Sequence, residues 1–308
     1  MLAHPSRPKT LRRGLAWALA GAIAVLVAGC DTPPPFAQIS GLMLDAQLDE
    51  ISGLAASHRH ADTLWMINDG GNPAQVYAVG TRGGKLATLR IAGVDNTDWE
   101  DIAAFELDGH PYLLLADTGD NGGLRKTLQL HVIAEPTTLA DATVTPAWSI
   151  VFRWPDGARD CEAVAVDVAN GQILLISKKR QPPELFSLPL RPPGNSTQVA
   201  RKLGTLAGVP QGDADEVRIN PALARIRSQV TAADIAGDGH AIAVLTYRDV
   251  LLYPRRRNER WEQALSRPPQ VHPLPWLPQA EALGWSDDSR ALYATGELSP
   301  APLLLLNP

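Results

Sequence analysis

Trp99-Glu100-Asp101-Ile102-Ala103 sets acidic residues directly ahead of a small, apolar strand, and the same arrangement returns four more times along the chain. The other copies are Asp49-Glu50-Ile51-Ser52-Gly53-Leu54, Asp160-Cys161-Glu162-Ala163-Val164, Ala233-Asp234-Ile235-Ala236 and Gln279-Ala280-Glu281-Ala282-Leu283. A second apolar run follows each copy: Leu64–Ile67, Tyr112–Ala116, Gln172–Ser177, Ala241–Thr246 and Ala291–Thr295. Four of the intervening turns carry Asp-Gly or a relative, the chemistry of tight hairpins: Asp108-Gly109, Asn170-Gly171, Asp238-Gly239 and Asp287-Asp288. Third strands are expected at Gln75–Val79, Leu128–Ala134, Glu184–Leu188, Val250–Tyr253 and Leu303–Leu306. Fourth strands are expected at Ala87–Ile91, Ala147–Phe152, Val199–Leu206 and Val271–Leu274.

The openings recur roughly every 47 to 72 residues, which suits a four-stranded propeller blade with variable outer loops. The last unit runs out of chain after three strands. Gln38–Leu44 is positioned to supply its missing outer strand and so hide an open sheet edge. The pattern therefore predicts an all-β fold, a single β-propeller over residues 38–308 with five four-stranded blades closed by an N-terminal strand. Six blades is the alternative, if Ala207–Gln229 holds a small extra one; that stretch reads instead as a polar loop with one helical turn at Pro221–Arg227. The small residues of the first strands, among them Gly53, Ala55, Ala103, Ala163 and Ala282, suit inner strands crowded around a narrow axis.

Residues 1–29 have the three parts of an export signal. Arg7, Lys9, Arg12 and Arg13 form a basic head, Gly14–Gly29 is apolar, and Val27-Ala28-Gly29 are small residues running into Cys30. The apolar run is short for a membrane span. Leu26–Cys30 resembles the lipobox of bacterial lipoproteins, which implies lipidation of Cys30 and a chain held to the membrane by that lipid. Residues 30–37 then form a lipidated tether stiffened by Pro33-Pro34-Pro35. Asp31 implies the periplasmic face of the inner membrane rather than the outer membrane of the cell envelope.

The chain carries 28 basic and 33 acidic residues. Without the four cations of residues 1–29, 24 basic residues remain against 33 acidic ones, a formal charge of −9. An acidic body of this kind argues against nucleic acid as a partner. Cys161 is the one cysteine besides Cys30, so the mature chain has no intramolecular disulfide to form. Gly-x-Ser-x-Gly, P-loop and His-Glu-x-x-His motifs are absent from the sequence.

In a propeller, residues just before each first strand and just after each second strand share one face. The first set is Asp49, Glu50, Asp98, Glu100, Asp101, Asp160, Glu162, Asp234 and Glu281. The second set is Asn68, Asp69, Asp117, Asp120, Asn121, Lys178, Lys179, Arg180, Tyr247, Arg248 and Glu297. Two like charges about 8 Å apart repel by roughly 2 kcal/mol at an effective dielectric of 20, so several carboxylates on one mouth need a cation, a proton or a lysine. Oxygen donors without histidine suit a hard ion, Ca²⁺ before Mg²⁺. Glu50, Glu100, Asp101, Glu162 and Glu281 are the expected metal set. Asn68, Asp69, Asp117, Asp120, Asn121, Lys178, Lys179, Tyr247, Arg248 and Glu297 are the expected ligand- or anion-binding set. Asp117-Thr118-Gly119-Asp120-Asn121-Gly122-Gly123 resembles a fragment of a calcium loop, without the spacing of an EF-hand.

Taken together, Glu50–Leu54, Leu64–Asp69, Asp98–Ala103, Asp117–Asn121, Glu162-Ala163, Thr231–Ile235 and Glu281-Ala282 resemble a family of exported bacterial β-propeller proteins. The chain is similar, more distantly, to phytase-like and calcium-dependent lactonase-like propellers. The resemblance covers about residues 45–308 and implies a metal-capable rim; the aspartate-rich entry motif of phytases is absent. Two functions fit. One is an envelope scaffold whose acidic, calcium-binding rim takes a small-molecule or protein ligand. The other is a calcium-assisted hydrolase of a phosphoester or related small anionic substrate, with Lys178 and Lys179 stabilising developing negative charge.

Overall fold

A computed structural model describes residues 35–275 and 277–308. The expected export signal, Cys30 and most of the tether lie outside these residues. None of the described helices is long and apolar enough to cross a membrane.

The chain forms five sheets, each built on four antiparallel strands, in a five-bladed β-propeller. It opens with β1 (Ala37–Met43), which belongs to the last blade. Blade one follows as β2 (Ile51–Ala56), β3 (Thr63–Asn68), β4 (Gln75–Gly80) and β5 (Lys85–Ile91). Blade two is β6 (Trp99–Leu107), β7 (His110–Asp117), β8 (Leu128–Ala134) and β10 (Trp148–Arg153), with β9 (Ala142–Val144) lying before its last strand. Blade three is β11 (Cys161–Asp167), β12 (Gln172–Ser177), β13 (Glu184–Pro189) and β15 (Arg201–Thr205), with β14 (Gln198–Val199) between the last two. Blade four is β16 (Val230–Ile235), β17 (Ala241–Thr246), β18 (Asp249–Pro254) and β19 (Gln270–Pro273). Blade five is β20 (Ala280–Trp285), β21 (Leu292–Gly296) and β22 (Ala301–Leu306). β1 completes blade five by pairing antiparallel with β22, from Ala37 opposite Leu306 to Met43 opposite Ala301.

The inner strands β2, β6, β11, β16 and β20 pack each against the next, and β20 packs back against β2, so the ring is closed. β2, β11 and β20 are buried along their whole length. Small residues make this approach possible. A Cβ on Gly53 would come within 2.8 Å of the Ile102 amide nitrogen, and one on Gly284 within 2.7 Å of the Leu54 carbonyl. One apolar layer fills each interface between blades. Trp65, Trp99 and Leu113 lie between blades one and two, and Phe152, Trp154 and Phe186 between blades two and three. Tyr253 and Trp261 lie between blades three and four, Leu245 and Leu304 between four and five, and Met43, Leu54 and Leu303 close the circle. Truncating a leucine in such a layer to alanine costs about 2–5 kcal/mol.

Three local features refine the sequence reading, one of them the helical turn expected at Pro221–Arg227. β9 and β14 add short parallel strands outside β5 and β10; β9 falls where a loop was expected, and Val199 of β14 pairs with blade two instead of opening the fourth strand of blade three. The stretch after β15 holds two short helices, α1 (Ala214–Ile219) and α2 (Pro221–Ile226), and no sixth blade. Asp213 caps α1 through a capping box with Glu216, and Pro221 begins α2. A third helix, α3 (Trp261–Leu265), packs Trp261 and Leu265 into the layer between blades three and four.

Candidate functional site

The site begins with a defect repeated in every blade. Each inner strand carries a register shift near its start: between Ile51 and Gly53, Trp99 and Asp101, Cys161 and Ala163, Val230 and Ala232, and Ala280 and Ala282. The skipped residues are Ser52, Glu100, Glu162, Thr231 and Glu281. A bulged residue leaves the ladder and its side chain is re-aimed, here at one end of the axis. The residues following the second strands form a companion set at the same level: Asp69, Thr118, Lys178, Tyr247 and Glu297.

Three hydroxyls brace this end. Ser52 donates to the Trp99 carbonyl (3.0 Å), Thr118 to the Cys161 carbonyl (2.7 Å) and Thr231 to the Ala280 carbonyl (2.7 Å). Each accepting carbonyl belongs to the residue just before Glu100, Glu162 or Glu281, so each hydroxyl fixes the backbone that carries the next blade's carboxylate.

The carboxylates divide into two regimes. Glu162 and Glu281 share a buried lysine: Lys178 pairs with Glu162, lies 3.8 Å from Glu281, and stands 5.2 Å above the Tyr247 ring. Tyr247 donates its hydroxyl to Glu281 (2.6 Å). Burial opposes the charge of Lys178, yet Glu162, Tyr247 and Glu281 outweigh it and hold the lysine protonated above its usual range. Glu297 accepts from the Gln279 amide, and burial with a hydrogen bond to Glu281 pushes its pKa up to about 9.

The second regime is crowded with like charge, and only its edge meets a cation, where Lys179 pairs with Asp160 (2.8 Å) and Lys178 with Glu162. Asp69, Asp98 and Glu100 bring carboxylate oxygens within 4.8 Å of one another, and so do Glu100, Asp160 and Glu162. Glu100 belongs to both groups. It is 5 % exposed and forms no hydrogen bond or ion pair with another described residue. Burial, then Glu162, Asp69 and Asp98, push its pKa well above the carboxylate range. Burial raises Asp69 to about 6 and raises Asp98, with Asp160 adding to the latter. The Gly119 backbone passes so close that a Cβ there would overlap the Glu100 and Asp98 carboxylates, so any larger residue in this loop would push them aside. Oxygen donors alone, one of them buried without a partner, fit a hard divalent cation.

Several expected site residues do other work. Glu50 is not level with Glu100: the bulge in blade one falls on Ser52, two residues later, and Glu50 is exposed with Asn72 donating to it (2.6 Å). Asp101 is fully buried and accepts backbone N–H bonds from Ile102 (2.9 Å), Val164 (2.9 Å) and Ala233 (3.4 Å), which occupies its oxygens and ties blades two, three and four together. Asn68 donates to the Gln47 carbonyl (2.8 Å). Asp117 pairs with Arg125 (2.7 Å). Asp120 accepts from the Leu124 and Arg125 amides (2.7 and 3.1 Å), and its own N–H binds Asp160. Asn121 accepts from Lys179 (2.5 Å), which also pairs with Asp160 (2.8 Å). Arg248 is exposed and acts on Asp249 and Glu216. Asp234, expected on this face, lies at the other end of the axis with Trp285. Asp98 and Asp160, placed on the rim from sequence but not in the metal set, are central members. Ser52, Thr118, Thr231 and Gly119 were missed as site residues. For Ser52 and Thr231 the signal lay in the first strands, where serine and threonine stand at the glutamate position, whereas Thr118 and Gly119 fall in the loop after a second strand.

A scan of protein families gives no match to the chain, and no curated protein matches it. Among solved structures it is similar to the WD40 repeats of RRP9 at 13 % identity, over 83 % of this chain and 67 % of that one, with a TM-score of 0.40. It is also similar to the hydrazine synthase of Kuenenia stuttgartiensis at 12 % identity, over 84 % of this chain and 71 % of that one, with a TM-score of 0.43.

Proposed function

We propose that this chain is a lipid-anchored protein of a bacterial envelope whose propeller holds a divalent cation, Ca²⁺ by preference, in its acidic mouth and binds a ligand or protein there. The observation that carries the cation is Glu100, a buried carboxylate without a partner, common to two groups of acids. Asp69, Asp98, Asp160 and Glu162 are the other donors. Glu162 and Asp160 have lysine partners, but Asp69, Asp98 and Glu100 stand together with no ion pair to another described residue, which is costly at interior dielectric. The mouth opens beside a cavity of about 240 Å³ lined by Asp120, Gly122, Asp160, Lys179 and Arg180, a place for a ligand group to reach the ion.

The test is thermal melting of the wild type and Glu100→Gln in calcium and in EDTA. A ligand at 100 times its Kd stabilises by about 2.7 kcal/mol, a rise of roughly 5–10 °C for a domain of this size. The wild type should show that rise and the variant should lose it; equal melting temperatures for the wild type in both buffers would overturn the cation. The anchor is tested by mass and fractionation. The wild type should carry diacylglycerol on Cys30 and pellet with membranes, while Cys30→Ser should do neither.

The exposed side of Lys179 favours a second reading, a calcium-assisted hydrolase of a phosphoester or similar small anion. Calcium-dependent turnover in a phosphoesterase panel, abolished by Glu100→Gln, would select it over the binding role.

A further inference from the structure

The far end of the axis holds a different chamber. Its cavity is about 430 Å³, and Ala56, Phe105, Val166, Ile235 and Trp285 bring one wall residue from each blade. Asp101 separates it from the acidic mouth, because that carboxylate spans the ring of inner strands between the two ends.

Asp234 marks this chamber as more than a space between turns. Counting from the bulges, it is level with Ala55, Ala103, Ala165 and Gly284. Four blades place the smallest side chains at this level, and one places a carboxylate. Asp234 accepts from the Trp285 amide (2.8 Å), a bond that a neutral amide side chain would make equally well. Burial pushes its pKa up to about 7, so the bare charge is poorly compensated by the protein. Of the cations nearby, His58 acts on Asp234 only through space, and both it and Arg255 are bonded to other groups. Arg255 donates to the Gly239 carbonyl (2.8 Å), stacks 4.1 Å over Trp261 and lies 3.8 Å from Asp167, and His58 binds Asp287 (2.9 Å). The surrounding wall is otherwise acidic, with Glu106 and Asp238, or apolar and aromatic, with Phe105 and Trp285.

A carboxylate at the floor of an aromatic-walled, acid-rimmed cavity is complementary to an organic cation, whose charge meets the acid while its alkyl groups cover the rings. We propose that this chamber binds a small organic ammonium ion, with Asp234 as its counter-ion and Phe105 and Trp285 as its apolar walls. The site goes beyond the calcium reading and does not depend on it, since no residue is shared with the acidic mouth.

The test is isothermal titration of the full mature chain with choline and with choline's neutral tert-butyl analogue, which matches it in shape and lacks the charge. Choline should bind saturably, and the analogue at least about tenfold more weakly. Asp234→Asn keeps the volume and the acceptor for the Trp285 amide and should lose choline binding by at least about tenfold. Ala169→Trp, at the exposed rim, should block choline without touching Asp234 and keeps the test decisive if Asp234→Asn fails to fold. Glu100→Gln should bind choline as the wild type does, while losing its calcium response. Equal affinity for choline and its analogue, unchanged binding in Asp234→Asn or Ala169→Trp, or no saturation below about 10 mM would overturn the proposal.

Discussion

Asp101 shows how far one residue can depart from its expected role. Its neighbours Trp99, Glu100 and Ile102 fit the repeated opening, and its charge invited a place in the metal set. The bulge that swings Glu100 outward turns Asp101 inward, where three amides from three blades saturate its oxygens. Removing a buried acceptor leaves each donor to bear its desolvation cost of about 1–3 kcal/mol. Asp101→Ala should therefore lower unfolding free energy by at least about 3 kcal/mol in urea titration, with Asp101→Asn recovering part of the loss. A variant as stable as the wild type would show that water replaces the carboxylate. At the same scale, the sequence made Glu100, Glu162 and Glu281 legible because an acid ahead of a small-apolar strand is a rare, repeated combination. Glu50 imitates that combination two residues out of register, and nothing in residue types alone separates the two.

Among the elements, strands were easier to read than their edges. The second strands β3, β7, β12, β17 and β21 are apolar runs between turns, and periodicity fixes such segments well. The parallel additions β9 and β14 are two or three residues long and depend on a neighbouring blade, so no local pattern announces them. The inner strands carry a further constraint that composition only hinted at, the closeness of their backbones. Gly53→Val places branched carbons where the Asp101–Ile102 backbone already lies. Overpacking of this kind costs about 1–3 kcal/mol, and a strand that cannot move should put the change at the upper end. A melting temperature at or above that of the wild type would mean that the ring of strands has slack. The loss should come with weaker calcium binding, because β2 also carries Ser52, which braces the backbone before Glu100.

For the molecule as a whole, acidity is the dominant electrostatic fact. Several carboxyls hold their protons more tightly in the folded chain than in the unfolded one, among them Asp69 at about 6, Asp234 at about 7 and Glu297 at about 9. Each contributes stability that is complete below its unfolded value near 4 and is lost as pH rises through its folded value. In EDTA, the unfolding free energy should therefore fall between about pH 5 and pH 9, at up to roughly 1.4 kcal/mol per pH unit for each group titrating. Denaturant titrations across that range check the sign, and stability rising steadily toward pH 9 would contradict it. Calcium at the mouth should flatten the part of the slope that comes from Asp69. The five-bladed plan itself was legible from the spacing of openings and the missing last strand. The second chamber was not, because Asp234 sits in a segment that resembles the other openings while its position along the strand is shifted by the bulge.

The closure of blade five has a topological consequence. The Asn307 amide donates to the Phe36 carbonyl at 2.7 Å, so the two ends of the folded body meet side by side. A short turn joining residue 308 to residue 36 would make β22 and β1 an ordinary hairpin, and the chain could then be cut at the exposed Pro193–Ser196 loop instead. Such a circularly permuted protein should keep every blade, while its new ends would leave from blade three.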